Sequence, residues 1–105
     1  MIRPALSRKE VEACLRNAEA EILGFGVSRL ALFGSVERDA AREDSDVDIL
    51  VEFRPGEKTF DHFMALGDLL EHVLQRPVEL VTPESLSPFL KPHILASARD
   101  VVRAA

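Results

Sequence analysis

The short connector between two apolar runs constrains this fold more than any other feature of the sequence. The runs occupy residues 30–33 and 49–51, and both are short, rich in aliphatic side chains and bounded by turn-forming residues, as β-strands are. A crossover between parallel strands needs about a dozen residues or more, and the connector at 36–45 is shorter than that. The two strands, the first over about 27–33, are therefore predicted to be antiparallel neighbours, with one helical turn near 36–41 packed between them.

Two carboxylates open the second strand. Successive side chains of a strand point to opposite faces, so Asp46 and Asp48 share one face while Val47 and Ile49 share the other. Two carboxylates about 7 Å apart along one strand face repel each other unless a cation lies between them. The pattern therefore indicates a Mg²⁺ site whose remaining ligands are phosphate oxygens.

A glycine and a serine end the first strand. Gly34 allows the backbone to approach a ligand closely, and Ser35 adds a hydroxyl at the predicted start of a short helix, where phosphate groups bind. A phosphate-binding turn and metal-binding carboxylates on adjoining strands together indicate nucleotidyl or phosphoryl transfer.

These residues carry a family resemblance. Gly34-Ser35, ten further residues and Asp46-x-Asp48 are similar to the GSx10DxD signature of the DNA polymerase β nucleotidyltransferase superfamily. In length and motif placement, the chain more narrowly resembles the minimal nucleotidyltransferase (MNT) domains. The resemblance implies the nucleotidyltransferase fold, an α/β (α+β) arrangement in which a small mixed or antiparallel sheet is flanked by helices.

The resemblance also implies a nucleotide site. Gly34 and Ser35 would bind the β- and γ-phosphates of ATP, and Ser45, at the end of the connector, is included among the nucleotide-binding residues. Arg38 lies three residues after Ser35, where MNT proteins often place an arginine, although a solvated surface arginine is the alternative. Glycine commonly follows that arginine, whereas this chain has Asp39, which predicts an extra carboxylate near the phosphates.

A third acid lies on the third predicted strand, residues 77–81. Glu79 is the one charge in this apolar run, and an unpaired buried carboxylate would be costly. Two interpretations stay open: Glu79 is an edge-strand residue facing water, or it faces Asp48 across the sheet and completes a triad. MNT proteins place a third acid on this strand, more commonly aspartate than glutamate.

The function implied by the resemblance is two-metal nucleotidyl transfer. Asp46, Asp48 and Glu79 would hold two Mg²⁺ ions, and AMP would pass from ATP to a hydroxyl acceptor. The implied acceptor is a tyrosine of a HEPN-domain toxin, which would make the chain an antitoxin of a toxin–antitoxin system. Two alternatives remain: a non-catalytic module that neutralises a partner by contact, and a small-molecule nucleotidyltransferase, a kind that usually carries an additional helical domain.

Composition fits one small cytoplasmic domain spanning residues 1–105, of which 47% are hydrophobic and 30% charged. The net charge of −5 argues against nucleic acid as the main partner, because phosphate-backbone affinity comes from Lys and Arg. No apolar segment approaches the length that spans a membrane, and the N-terminus lacks the apolar segment of a signal peptide. The single cysteine, Cys14, fits a reducing compartment. Both homo- and hetero-oligomers stay open.

Helices are predicted on either side of the strands. Ser7 and Glu10 form a capping box that starts a helix, and Gly24 is expected to end it. Thr59 caps a second helix that runs to about Gln75.

The C-terminal tail is more apolar than a surface helix requires. A short helix is predicted over about 92–98, with Pro92 in its first turn. Two roles stay open for the apolar side chains of the tail, closing the core or forming part of a partner interface: Leu86, Phe89, Leu90, Ile94 and Leu95.

Overall fold

Four strands and five helices follow one another along the described residues, 7–42 and 45–104 of the computed structural model. The remaining positions of the predicted 1–105 domain, including two in the 36–45 connector, lie outside the described residues. The elements are α1 (Arg8–Asn17), α2 (Glu19–Gly24), β1 (Val27–Phe33), α3 (Gly34–Glu37), β2 (Val47–Phe53), α4 (Phe60–Leu74), β3 (Val78–Val81), a 3-10 turn (Pro83–Ser85), α5 (Lys91–Ser97) and β4 (Arg99–Arg103).

The strands form one mixed sheet in the order β3-β2-β1-β4. β1 is antiparallel to β2, with Phe33 opposite Asp48, and this confirms the prediction from the short connector. β2 and β3 run parallel, with Asp48 opposite Glu79, because α4 supplies the long crossover that parallel strands need. The predicted fold class, a small mixed sheet flanked by helices, is confirmed.

The core lies between one face of this sheet and the helices α1, α2 and α4. Each fully buried aliphatic side chain contributes roughly 1.5–3 kcal/mol relative to an exposed one, so this layer holds the sheet and the helices together. Its largest members are Leu15, Ile22, Leu30, Leu32, Ile49, Leu66 and Leu70.

The N-terminal helix begins as predicted but does not run unbroken to Gly24. The capping box is present, since the Glu10 N–H donates to Ser7 Oγ at 3.2 Å and the Ser7 N–H donates to Glu10 Oε1 at 3.1 Å. At Ala18, however, the N–H donates to the carbonyl of Leu15, three residues back, at 3.1 Å. This tighter turn ends α1 and starts α2, and Ile22 is fully buried beyond it.

α4 matches its prediction closely. Thr59 Oγ1 accepts the N–H of His62 at 3.1 Å, and the helix ends at Gln75, whose φ of 55° is left-handed. One face of α4 enters the core, while Phe60 and Met64 on another face are 77% and 48% exposed. Within the described ranges, no helix has both the length and the hydropathy that crossing a bilayer requires.

The C-terminal tail departs most from the predictions. α5 contributes no buried residue, and Phe89 and Leu90 are 87% and 55% exposed, so the interpretation that these two close the core is wrong. β4 is a strand that was not predicted from the sequence; it pairs with β1 and buries Val102 opposite Leu30. Because β4 completes that side of the sheet, the core does not need the apolar side chains of α5.

Candidate active site

Three segments that are far apart in sequence meet at one end of the sheet. The antiparallel pairing brings the end of β1 beside the start of β2, and the parallel pairing brings the start of β3 to the same place. One row across the sheet consequently contains Phe33, Asp48 and Glu79. Gly34 follows Phe33 directly in the chain. Side-chain alternation turns Asp48 away from the core layer that contains its neighbours Val47 and Ile49.

Gly34 is required at its position by both conformation and space. Its φ is +74°, a left-handed value that side chains other than glycine rarely adopt. A Cβ built on Gly34 would overlap Asp48 Oδ2 and would lie 2.9 Å from Asp48 Cγ. The backbone therefore passes directly against the Asp48 carboxylate. The predicted approach of Gly34 to a ligand stays a prediction.

α3 begins at Gly34, two residues before the predicted helical turn. The Arg38 N–H donates to the carbonyl of Gly34 at 3.3 Å, and the Ala40 N–H donates to that of Ser35 at 2.8 Å. Val36 is buried under this turn and holds it against the core. Ser35 is the second residue of α3, as the sequence indicated.

The Asp48 and Glu79 side chains interact directly. Burial, a hydrogen bond to Glu79 and the negative charges of Glu79 and Asp46 together raise the pKa of Asp48 to about 6. A hydrogen bond between two carboxyl groups requires that one of them carries a proton. The positive charge of Arg38 acts in the opposite direction on the same pKa, so this exposed arginine is within electrostatic range of Asp48.

Both open interpretations of Glu79 describe part of what is observed. Glu79 is exposed on the edge strand β3, and it also stands directly opposite Asp48. Asp46 is exposed on the same side and reaches Asp48 through its charge. Across 7–42 and 45–104, no three acid, histidine or cysteine side chains converge closely enough to hold one ion, so the metal-binding roles stay predictions.

The Asp39 carboxylate is directed to α1 and not to the turn at Gly34 and Ser35, which corrects the prediction of an extra carboxylate there. Its φ of 56° is left-handed, a conformation that aspartate tolerates better than most residues. Its Oδ1 accepts the N–H of Arg8 at 2.7 Å, so the carboxylate binds the first turn of α1. A carboxylate is stabilised there by the unpaired N–H groups and by the helix dipole.

Ser45 has a local structural role. Its Oγ accepts the N–H of Arg42 at 2.8 Å, and its own N–H donates to the Arg42 carbonyl at 3.0 Å. These bonds link Ser45 to Arg42 just before β2 begins. Its part in nucleotide binding stays a prediction.

The donor set fits Mg²⁺. Asp46, Asp48 and Glu79 present only carboxylate oxygens, the ligand type that this hard cation prefers. Burial and the repulsion of the neighbouring carboxylates together raise the pKa of Asp48, and a bound cation relieves that repulsion. The close backbone of Gly34 adds a turn beside the carboxylates where a phosphate group can approach.

A glycine turn packed on a row of carboxylates, at one end of a mixed sheet, defines a nucleotidyltransferase. The chain matches the family model of the nucleotidyltransferase domain over residues 14–101, and it belongs to that family. It is also similar to protein adenylyltransferase MntA of Thermococcus cleftensis, with 38% identity over 98 residues that cover 92% of this chain and 95% of the relative. The predicted enzyme class is thereby confirmed.

Two solved structures show the same fold. One, provisionally described as a minimal nucleotidyltransferase, has 33% identity and a TM-score of 0.78, and the match covers 89% of this chain and 94% of that one. The other is a tri-AMPylated HEPN toxin of Shewanella oneidensis in complex with an MNT antitoxin. It has 18% identity and a TM-score of 0.64, and covers 92% of this chain and 73% of that chain. The resemblance to MNT domains is confirmed.

Proposed function

We propose that this chain is a protein adenylyltransferase, which transfers AMP from ATP to a hydroxyl group on a partner protein. The observation that carries the proposal is the contact row in which the Gly34 backbone lies against Asp48 and Asp48 pairs with Glu79. The similarity to an adenylyltransferase of nearly the same length supports protein as the acceptor class.

Each residue of the candidate active site has a distinct part in this proposal. The Gly34 backbone and the Ser35 hydroxyl hold the β- and γ-phosphates where β1 turns into α3, and Arg38 and Ser45 complete the nucleotide site. Asp46, Asp48 and Glu79 would hold two Mg²⁺ ions, which would supply charge neutralisation of the phosphates and a lower pKa for the acceptor hydroxyl. The acceptor oxygen bonds to the α-phosphorus, the bond to the β-phosphate oxygen breaks, and pyrophosphate leaves.

The acceptor that we propose is a tyrosine of a HEPN-domain toxin, modified in the cytoplasm. The fold is shared with an MNT antitoxin found in complex with a tri-AMPylated HEPN toxin. Transfer of AMP to the toxin would make this chain an antitoxin that acts by modification.

Incubation with labelled ATP, Mg²⁺ and a copurifying HEPN protein tests the proposal. Label on the HEPN protein is expected, at tyrosine. Label on a small molecule would instead identify a small-molecule nucleotidyltransferase, and label nowhere would leave a module that neutralises its partner by contact.

MgATP should stabilise the fold more than ATP alone. A ligand that binds only the folded state adds RT ln(1 + [L]/Kd), roughly 2.7 kcal/mol at a hundredfold excess over Kd. ATP with EDTA should give a much smaller shift, because the carboxylates repel the phosphates without a cation. Thermal melts with and without Mg²⁺ measure the difference, and equal shifts would remove the metal from the proposal.

Glu79→Gln should reduce AMP transfer by about a hundredfold or more, the scale on which removal of one preorganised electrostatic group acts. Glu79→Asp keeps the charge and tests the acid that MNT proteins more commonly have. Glu21→Gln, an exposed glutamate on α2, is the matched control and should transfer normally. Activity of Glu79→Gln near that of the control would identify Glu79 as a surface residue with no part in transfer.

A further inference from the structure

A groove follows the outer edge of β3, between that strand and α4. Two adjoining cavities of about 370 and 410 Å³ share Phe63 and Leu80 in their walls. We call the two cavities together the β3 groove. It is defined by Phe60, Phe63, Met64 and Gly67 on α4 and by Val78 and Leu80 on β3.

The backbone of β3 is directed into this groove. Among the described strands, β3 lies at the edge of the sheet and pairs with β2, and the Val47 N–H donates to the carbonyl of Pro77 at 2.9 Å. Backbone groups alternate in direction along a parallel strand, so those of Val78 and Leu80 point away from β2. The Val78 N–H donates to Glu71 Oε2 at 2.9 Å, which leaves Leu80 to present its N–H and carbonyl to an incoming chain.

Phe60 and Met64, two apolar side chains of the groove, are not needed by the core, whereas Phe63, Val78 and Leu80 pack against it. α4 fills the core from a different face, with Leu66 and Leu70, while Phe60 and Met64 extend from the groove into solvent. Apolar side chains grouped around a groove are typical of surfaces that bind another molecule. The groove therefore suits the side chain of a partner.

Gly67 keeps the groove deep. A glycine in the middle of a helix costs about 1 kcal/mol relative to alanine, so it needs a reason. Packing does not supply one, because a Cβ on Gly67 would meet only Leu80 Cδ2, at 4.0 Å. The missing side chain instead leaves room between α4 and β3.

The charge of the cavity nearer the active site indicates what binds there. Lys58 borders the other cavity, but its ammonium pairs with Glu84 at 3.2 Å. Asp68, Glu71 and Glu79 all border the cavity nearer the active site, together with apolar side chains. A segment with both apolar and basic side chains complements this surface, whereas an acidic segment is repelled. Because Glu79 belongs both to this cavity and to the carboxylate row, the groove is continuous with the candidate active site.

We propose that the β3 groove binds an extended, basic segment of the acceptor protein, which adds to the sheet as a fifth strand beside β3. This inference rests on the proposed function. Side chains of the added strand would alternate between the groove and the face that carries Asp48 and Glu79. The added strand would lie about 10 Å from β2, two strand spacings away, so tyrosine is long enough to bring its hydroxyl to Asp48 and serine is not.

Short randomised peptides displayed on phage test the groove without a known partner. Selection on the wild-type chain, with counter-selection on Gly67→Leu, should enrich peptides that alternate apolar with other side chains and carry Lys or Arg. Leucine at position 67 fills the groove from a helical position whose φ is not left-handed, so the fold is retained. Gly24→Leu is the matched control, because a Cβ on Gly24 meets nothing within 4 Å, and it should bind the selected peptides as the wild type does.

Backbone amide NMR shows where the selected peptides bind. On addition of a selected peptide, the Leu80 amide should shift and become protected from hydrogen exchange, and Gly67→Leu should weaken binding by about tenfold or more. Failure to enrich any peptide on the wild type over Gly67→Leu would overturn the proposal, as would shifts confined to another surface. Self-association of the wild type in sedimentation, lost in Gly67→Leu, would also overturn it by identifying a second copy as the occupant.

The two proposals fail in different ways. MgATP stabilisation of wild type and Gly67→Leu reports on the nucleotide site, and peptide binding reports on the groove. Peptide binding without any MgATP effect would refute the proposed transfer and leave the groove as a docking site for a protein segment. A normal MgATP effect without peptide binding would refute the groove alone.

Discussion

Asp48→Asn should abolish AMP transfer and at the same time raise the melting temperature of the metal-free protein. Transfer should fall by about a thousandfold, the upper range for loss of one preorganised electrostatic group. Stability should rise because Asp48 ionises beside Glu79 and Asp46 in a half-buried position, a cost that the neutral amide does not have. Sites kept for function at the expense of stability behave in this way.

The stability that Asp48→Asn gains over the wild type should depend on pH in a defined direction. Burial and the neighbouring carboxylates raise the pKa of Asp48 to about 6, whereas aspartate in an unfolded chain titrates near 3.9. A group whose pKa is raised by folding adds stability below its unfolded pKa, and that stability is lost as the pH rises through the folded pKa. The free energy of unfolding of the wild type should therefore fall, relative to Asp48→Asn, between about pH 4 and pH 6, and the difference should be constant above.

Melts of both proteins in EDTA, repeated in Mg²⁺, measure these effects. Mg²⁺ should stabilise the wild type more than the variant, because the variant lacks one carboxylate of the site. Asp61→Asn is the matched control: it lies in the first turn of α4, where a carboxylate favours the helix, so it should leave transfer intact and lower stability slightly. A variant at position 48 that is less stable than wild type in EDTA would mean that the carboxylates are paired for structure. A difference in the free energy of unfolding within about 0.5 kcal/mol would indicate that Asp48 lies in a solvated surface turn.

Gly34→Ala should damage both the fold and transfer. Left-handed backbone costs a residue with a Cβ about 1–2 kcal/mol, and the new Cβ would also overlap the Asp48 carboxylate. We expect a loss of about 2 kcal/mol or more in the free energy of unfolding, and at least about a hundredfold loss of transfer because Asp48 must move.

A second glycine variant separates the backbone strain from the overlap with Asp48. Gly56 also has a positive φ, of 79°, but a Cβ there meets nothing within 4 Å, so Gly56→Ala carries the backbone strain alone. Denaturant unfolding should show the smaller loss for Gly56→Ala, with transfer intact. Gly34→Ala combined with Asp48→Gly should recover part of the stability, because the overlap is gone, but not the activity. Equal effects of the two single alanine variants would show that the contact with Asp48 is unimportant.

The centre of the fold could be predicted because two local rules determine it. The short connector allows only an antiparallel pair of β1 and β2, and strand periodicity sets Asp46 and Asp48 on one face. The pairing of Asp48 with Glu79 was one of two interpretations that the sequence left open, because no local rule determines which strand β3 pairs with. What these residues bind is a chemical inference from the donor types. It remains a prediction that the variants above will test.

Other features depend on contacts that no short pattern contains. Val102 becomes part of a strand only because β1 offers it a partner edge about seventy residues earlier in the chain. The break at Ala18 arises because the chain turns to keep Ile22 in the core, and alanine itself favours an unbroken helix. Asp39 was predicted to lie near the phosphates. Its actual partner, the Arg8 N–H, is distant in sequence, and no residue spacing reveals that contact.

The parallel pairing of β2 with β3 also limits how this gene can change. If one residue were inserted or deleted between α4 and β3, around Arg76 and Pro77, the strand would turn over. Leu80 would face the catalytic side, and Glu79 would face the apolar layer. Changes of chain length are ordinarily well tolerated at surface turns such as 54–57. Among natural variants of this chain, we expect such changes to accumulate there and to be absent from the three residues that lead into β3.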